Sequence, residues 1–244
     1  MSQDAIEAKG LVKTFGDITA LAGLSFTVRE GETYGLIGPN GAGKTTALRI
    51  VATLIKPSSG SANVFGIDVE MEPADVRRII SYLPEEAGAY KKLSGAEYLR
   101  FMANFYTVSK EVGEAMVREA AGISGLGERL KDRVKTYSKG MGRRLLIARA
   151  LMMKPRLAIL DEPTSGLDVV HAFHVRRIIQ NYVKEQGITV LLSSHNMLEV
   201  EFLCDRVALI NEGRILAEGT PQEIKSRYDS SNLEDAFMEA TRLG

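Results

Sequence analysis

The chain has 244 residues, 45% of them hydrophobic, with 31 basic residues set against 31 acidic ones. That content allows one large domain or two small ones with a substantial core, and zero net charge gives no overall field to draw in nucleic acid or an anionic membrane surface. The single Cys204 excludes an internal disulfide and fits a reduced compartment, no stretch approaches the roughly 20 apolar residues that cross a bilayer, and Met1-Ser2-Gln3-Asp4 lacks the features of a signal peptide, so a soluble, unexported chain is expected.

From Ile6 to Val28 the residues alternate, with breaks expected at Gly16 and Gly23, in the manner of antiparallel strands, before Glu30-Gly31-Glu32 turns the chain. Tyr34-Gly35-Leu36-Ile37 reads as a short buried strand, and Thr46-Ala47-Leu48-Arg49-Ile50-Val51 opens a helix. Between them lies Gly38-Pro39-Asn40-Gly41-Ala42-Gly43-Lys44-Thr45. Glycines at 38, 41 and 43 let the backbone curl so that successive N–H groups and the positive helix end converge on phosphate oxygens. The spacing therefore predicts a phosphate-binding loop running through Thr46, in which Lys44 reaches the β- and γ-phosphates and Thr45 offers its hydroxyl to Mg²⁺. A glycine-rich turn that matched by accident would not carry strand, Lys, Thr and helix in register.

Pro57-Ser58-Ser59-Gly60 is a break, Asn63-Val64-Phe65 a short strand, and Ile79-Ile80-Ser81-Tyr82-Leu83 another that ends at Pro84. From Ser94 to Met153 the pattern is helical, with Tyr98, Met102, Phe105 and Tyr106 spaced as an apolar stripe. The compact apolar runs Leu157–Leu160, Thr189–Leu192 and Val207–Ile210, separated by helical segments, predict buried parallel strands. The tail from Pro221 reads as two short helices about 226–231. The expected fold is thus α/β: a phosphate-loop core, an N-terminal antiparallel β layer, a helical insert over about 86–153 and a helical tail over about 221–244, in one domain spanning 1–244.

A phosphate loop leaves many nucleotide chemistries open, and the acidic partner narrows them. The run Leu157-Ala158-Ile159-Leu160-Asp161-Glu162 delivers two carboxylates at a strand end, where ligands bind in open α/β sheets. Asp161 would join the Mg²⁺ shell and Glu162 would polarise an attacking water as general base. A strand ending in Asp-Glu more commonly just caps a turn, and it is the upstream loop that favours the catalytic reading. His195 follows another apolar strand and would sit near the γ-phosphate, sensing or orienting it. His171 and His174 lie on an expected helix with no evident third ligand, so they read as surface or packing residues and not as a metal site.

At Tyr137-Ser138-Lys139-Gly140-Met141, followed by the helix from Gly142, the chain resembles the ATP-binding subunits of ABC transporters, and residues 4 to 220 fit that resemblance. The family signature is written LSGGQ: Ser138 and Gly140 match it, while Tyr137, Lys139 and Met141 depart. From the residues alone, Ser138 reads as a helix cap whose hydroxyl, neighbouring N–H groups and helix dipole make a second anion site. The resemblance implies a RecA-like core, ATP with Mg²⁺, and a head-to-tail homodimer or heterodimer in which Ser138 of one copy meets the γ-phosphate held by the other. It also implies separate membrane-spanning permease subunits, and a cytoplasmic chain peripheral on the inner face of the cell membrane. Phe15 resembles the aromatic that stacks on adenine. Ser165-Gly166-Leu167-Asp168 resembles the loop between the two nucleotide sites, with Asp168 communicating across the dimer, and His195 resembles the switch histidine. In Leu83-Pro84-Glu85-Glu86, Glu85 stands where the family generally has a Gln that touches Mg²⁺ or the attacking water; a carboxylate accepts hydrogen bonds there but donates none.

The signature and Leu-Pro-Glu-Glu are similar to the exporter-type branch that serves drug, polysaccharide and sodium efflux. Ala87–Leu93, with Tyr90 beside small residues and Tyr98 and Phe101 behind, is the expected socket for a helix of the membrane partner. Two other readings stand beside this one. A soluble ABC ATPase acting on nucleic acid or ribosomes would be expected to show two cassettes, long coiled coils or a basic surface. A regulatory module that binds ATP without turnover is suggested by Lys139, Met141 and Glu85 and opposed by Glu162 and His195. A GTPase reading lacks an Asn-Lys-x-Asp motif.

Overall fold

A computed structural model describes residues 4–243 of the chain, so the expectation at Met1–Gln3 lies outside the described residues. Two long strands, β1 (Asp4–Phe15) and β2 (Ile18–Arg29), form an antiparallel hairpin about Gly16-Asp17. Gly23 does not break it as expected; it sits inside β2 at φ +92, where the left-handed backbone suits a residue without a Cβ. Then come β3 (Thr33–Ile37), α1 (Lys44–Val51), β4 (Ser59–Val64), β5 (Ile67–Asp68), α2 (Pro73–Ile79) and β6 (Ile80–Leu83). The expected strand at 63–65 therefore begins earlier and stops before Phe65, which turns at φ +50, and Ile79 closes a helix instead of opening a strand.

The helical insert holds α3 (Gly95–Ala103), α4 (Lys110–Ser124) and α5 (Lys139–Leu151). Each starts on a serine whose side chain accepts a backbone N–H of the first turn: Ser94, Ser109 and Ser138. The expected stripe is shorter than the spacing suggests. Tyr98 is buried, but Phe105 and Tyr106 lie past the end of α3 and are exposed. The remaining elements are β7 (Leu157–Asp161), α6 (Val169–Gln186), β8 (Thr189–Ser194), α7 (Met197–Leu203), β9 (Arg206–Asn211), β10 (Arg214–Gly219), α8 (Pro221–Arg227) and α9 (Leu233–Leu243). Neither α2 nor β10 shows in the sequence as a periodic segment.

The strands form two sheets, ordered β2-β1-β4-β5 and β10-β9-β3-β8-β7-β6. In the second, β9, β3, β8, β7 and β6 run parallel, and β10 pairs antiparallel with β9. Its strands are apolar on both faces because each face meets a different core. Ile37, Leu160, Val190, Leu192 and Leu209 join the helices on one side, while Leu36, Ile159, Leu191 and Ala208 join α1 and the antiparallel layer on the other. The parallel register brings the carboxyl ends together: Ile37 pairs with Ser194, Asp161 with Ser193 and Leu83 with Leu160. The loops that leave β3, β6, β7 and β8 therefore open at one edge of the sheet.

Candidate active site

The loop after β3 wraps closely over the sheet edge. Gly41 and Gly43 hold φ +85 and +105, and a Cβ on Gly43 would lie 2.5 Å from the Ala20 carbonyl oxygen, so only glycine fits. Lys44 opens α1 almost fully buried, and its Nζ donates to the carbonyls of Gly38 at 2.7 Å and Pro39 at 3.1 Å. That same ammonium lies 3.4 Å from Glu162 Oε1, a pair with side chains only 6% and 5% exposed. The loop lines a cavity of about 290 Å³ that also takes in Phe15, Glu85 and Glu162. Asn40, Ala42, Thr45 and Thr46 line the cavity wall.

Asp161 closes β7 with both carboxylate oxygens engaged. Oδ1 accepts from Thr45 Oγ1 at 3.0 Å and from Ser193 Oγ at 2.6 Å, and Oδ2 accepts from Tyr82 OH at 3.3 Å. Burial beside this carboxylate pushes the Tyr82 phenol up from its ordinary value, which keeps it a donor. Hydroxyl and carboxylate oxygens at one point form the hard donor set that suits Mg²⁺.

Glu162 sits one residue on in a left-handed conformation, φ +46, which costs a non-glycine residue about 1 kcal/mol. The turn is held by its N–H, which donates to Ser193 O and Ser193 Oγ. Its effect is to swing the carboxylate off the strand line. Oε2 meets His195 Nδ1 at 2.8 Å and accepts the His195 backbone N–H, whereas the buried Oε1 has no hydrogen-bond partner among the described residues. A buried acceptor without a hydrogen bond costs free energy, and among the described residues only the Lys44 ammonium 3.4 Å away offsets it. Facing Lys44, it fits a water molecule that has a proton to give.

A glycine-rich loop, an Asp-Glu strand end and a histidine that follows the adjacent strand thus share one edge. The profile described as ABC transporter matches residues 21–165, more than half of the chain. The chain belongs to the ABC transporter family. It is the ATP-binding, ATP-hydrolysing part of such a transporter. Among curated relatives it is similar to the linearmycin resistance ATP-binding protein LnrL of Bacillus subtilis (strain 168), 37% identical over 245 residues, 97% of this chain and 78% of that protein. It is similar also to the daunorubicin/doxorubicin resistance ATP-binding protein DrrA of Streptomyces peucetius, 43% identical over 229 residues, 94% of this chain and 69% of that one. Among solved structures it resembles the dimeric, post-hydrolysis ATP-binding cassette MJ0796 bound to ADP and Pi, with TM-score 0.78 and 25% identity, covering 88% of this chain and 98% of that one.

Of the other residues expected from the ABC pattern, Ser138, Gly140 and Asp168 lie apart from the cavity, and Glu85 lines it. Ser138 caps α5 by accepting the Met141 N–H at 3.2 Å. Asp168 caps α6 through the His171 N–H at 3.0 Å, a bond that lowers its carboxyl pKa, and the same carboxylate lies 2.7 Å from His171 Nδ1. The His171 ring occupies the space that a Cβ on Gly140 would need. Expected from sequence as a surface or packing residue, His171 packs its ring against Gly140 on α5, while Lys139 lies against Gly166. Glu85 accepts from Ser165 Oγ at 2.8 Å and lines both the cavity beside the 38–46 loop and a second groove of about 350 Å³ that contains Lys139 and Ser165.

Sequence reasoning missed the residue that joins these loops. Arg143, buried on α5, donates to five carbonyls: Pro84, Glu85, Asp161, Glu162 and Pro163. Burial depresses its pKa, with surrounding carboxylates opposing the effect. The missed signal is local: an arginine at 143 falls on the buried face of a helix whose neighbours Leu145, Leu146 and Ile147 are apolar. Ser193, the other omission, is a hydroxyl near the end of an apolar strand and directly opposite Asp161.

Proposed function

We propose that the chain binds ATP with Mg²⁺ at residues 38–46, hydrolyses it at a site completed by a second copy, and so drives export of a drug-like molecule through separate membrane subunits. The observation that carries this is the Glu162 carboxylate, with one oxygen committed to His195 and the other, without a hydrogen-bond donor, opposite Lys44. Backbone N–H groups of the loop and the N-terminus of α1 receive the phosphates, and Lys44 neutralises the terminal ones. Thr45 and Asp161 would hold Mg²⁺, which supplies charge neutralisation on the phosphates when bound. Glu162 Oε1 accepts a proton from the attacking water, while the His195 contact fixes the carboxylate in place. With Nδ1 on Glu162, His195 has only Nε2 left for a phosphate. Phe15, half exposed at the cavity rim, is available to cover the base.

Ser138, Gly140 and Asp168 do not line their own chain's cavity, which supports a second copy as the holder of their ligand; MJ0796, the similar cassette, is dimeric. Glu85 lines the cavity with its carboxylate on the Ser165 hydroxyl, and would reach the metal side of the phosphates by giving up that bond. The pathway across the membrane is assigned to partner subunits; no helix among the described residues is long and apolar enough to cross a membrane. Their docking site is the exposed ring cluster of Tyr90, Phe101 and Phe105, where Tyr90 and Phe101 meet edge-on at 5.4 Å and Phe101 and Phe105 at 5.2 Å. On this reading the chain works at the cytoplasmic face of the membrane, where ATP is available. The names of LnrL and DrrA support an antibiotic-like substrate.

Measuring ATP turnover per molecule over a wide range of chain concentration, with sedimentation in the same buffers, tests the shared site. Activity should rise with the dimer fraction; full turnover from a strictly monomeric chain overturns it.

A further inference from the structure

One buried carboxylate near the site has no part in the chemistry above. Glu199, on α7, is 1% exposed. Its Oε2 accepts from Ser194 Oγ at 2.6 Å, and Ser194 Oγ in turn accepts the Asn196 N–H at 3.0 Å. The Glu199 N–H donates to Asn196 Oδ1 at 3.3 Å and Asn196 O at 3.1 Å. Both neighbours of His195 are therefore tied to one residue. Thr164, two residues past Glu162, favours the charged form of Glu199, while the buried Glu199 Oε1 has no hydrogen-bond partner among the described residues. Charge surrounds it from three further elements: Glu162 after β7, Arg176 on α6 and Arg143 on α5.

We infer that Glu199 is a positioning residue for the Glu162–His195 pair, holding through Ser194 and Asn196 the segment from which His195 meets Glu162 at 2.8 Å. The inference rests on the reading of Glu162 as the base. Burying a carboxylate is costly where packing alone is needed, and the neighbouring Val200 shows that this stretch of α7 accepts apolar residues. What a carboxylate adds is an acceptor oxygen at a fixed position for the Ser194 hydroxyl, next in the chain to His195. Without it Ser194 loses its anchor and His195 the fixed approach to Glu162, a displacement that slows the chemical step while leaving the phosphate loop intact.

The test uses the full chain with Glu199→Leu, Glu199→Gln, Ser194→Ala and Glu162→Gln, each followed by steady-state ATPase kinetics, ATP-binding titration and thermal melting. Glu199→Leu should lower kcat by about 10- to 100-fold with KM for ATP within about twofold, and Glu199→Gln, which keeps one acceptor oxygen, should recover most of the loss. A folded Glu199→Leu with wild-type kcat, or one in which KM rises and kcat holds, overturns the assignment. If Glu199→Leu does not fold, Ser194→Ala decides: it removes only the hydroxyl link and should lower kcat about three- to tenfold, and wild-type kcat there also overturns it. Rapid turnover by Glu162→Gln removes the base assignment itself. A slow Glu162→Gln beside a fast, folded Glu199→Leu removes only the positioning role.

Discussion

Glu85 Oε1 accepts a 2.8 Å hydrogen bond from Ser165 Oγ, tying the loop after β6 to the loop after β7. The first loop leads toward the ring cluster at Tyr90 and the second toward Asp168, and this bond is a direct side-chain link between them. Residues joined this way should be non-additive: Ser165→Ala and Glu85→Ala should each change ATPase kcat, and the double variant should be no worse than the stronger single one. A coupling of about 0.5 kcal/mol or more in a double-mutant cycle supports the link, and strict additivity removes it.

Glu162→Gln keeps the shape of the side chain but weakens its power to take a proton. ATP binding should persist while turnover falls by about 10²- to 10⁴-fold, with a dimer trapped in the ATP state visible by gel filtration. An unchanged rate would move the base elsewhere.

Ser138→Arg puts a long cation at the exposed start of α5. ATP-dependent dimerisation, measured in the slow Glu162→Gln background, should be lost while each copy still binds ATP. Equal dimerisation by this variant would count against α5 as the face that meets the second copy.

Arg143→Met would leave five carbonyls without the donor that now serves them. A loss of roughly 3 kcal/mol is expected, seen as a fall of about 6–12 °C in Tm. Arg143→Lys should be intermediate, because an ammonium carries the charge but cannot fork to so many acceptors.

Burial raises the Glu199 pKa above its ordinary 4.5, with the like charge of Glu162 adding to the effect and Ser194, Thr164 and Arg176 opposing it. At pH well below that ordinary value the folded and unfolded chains are both protonated there; as pH rises the unfolded chain ionises first, and stability is lost until the folded value is passed. Glu199→Gln has no such proton. Its Tm relative to wild type should therefore climb as the pH is raised above about 4.5, and a flat difference would mean that the folded carboxyl ionises normally.

The nucleotide side of the site was legible because each piece is contiguous: a loop between its strand and helix, an apolar strand ending in Asp-Glu, a strand ending before His195. The strands 157–161, 189–194 and 206–211 could be read as apolar runs because both faces are buried. What the sequence hid depends on contacts between distant segments. Nothing local to Arg143 announces carbonyl partners near 84 and 161, and nothing about Ser165 points to Glu85. The expected stripe through Phe105 and Tyr106 failed for a different reason: α3 ends at Ala103, so helical spacing no longer applies beyond it.

Gly140 is half of what makes the 137–141 segment recognisable, yet its want of a side chain has a cause within the single chain. The imidazole of His171 fills the volume any larger residue would need. Alanine at that position would push α5 away from the start of α6, and a smaller residue at 171 would be required to accommodate it. The two sites are therefore expected to vary as a pair across related chains, a steric match between α5 and α6 that lies within one copy of the chain.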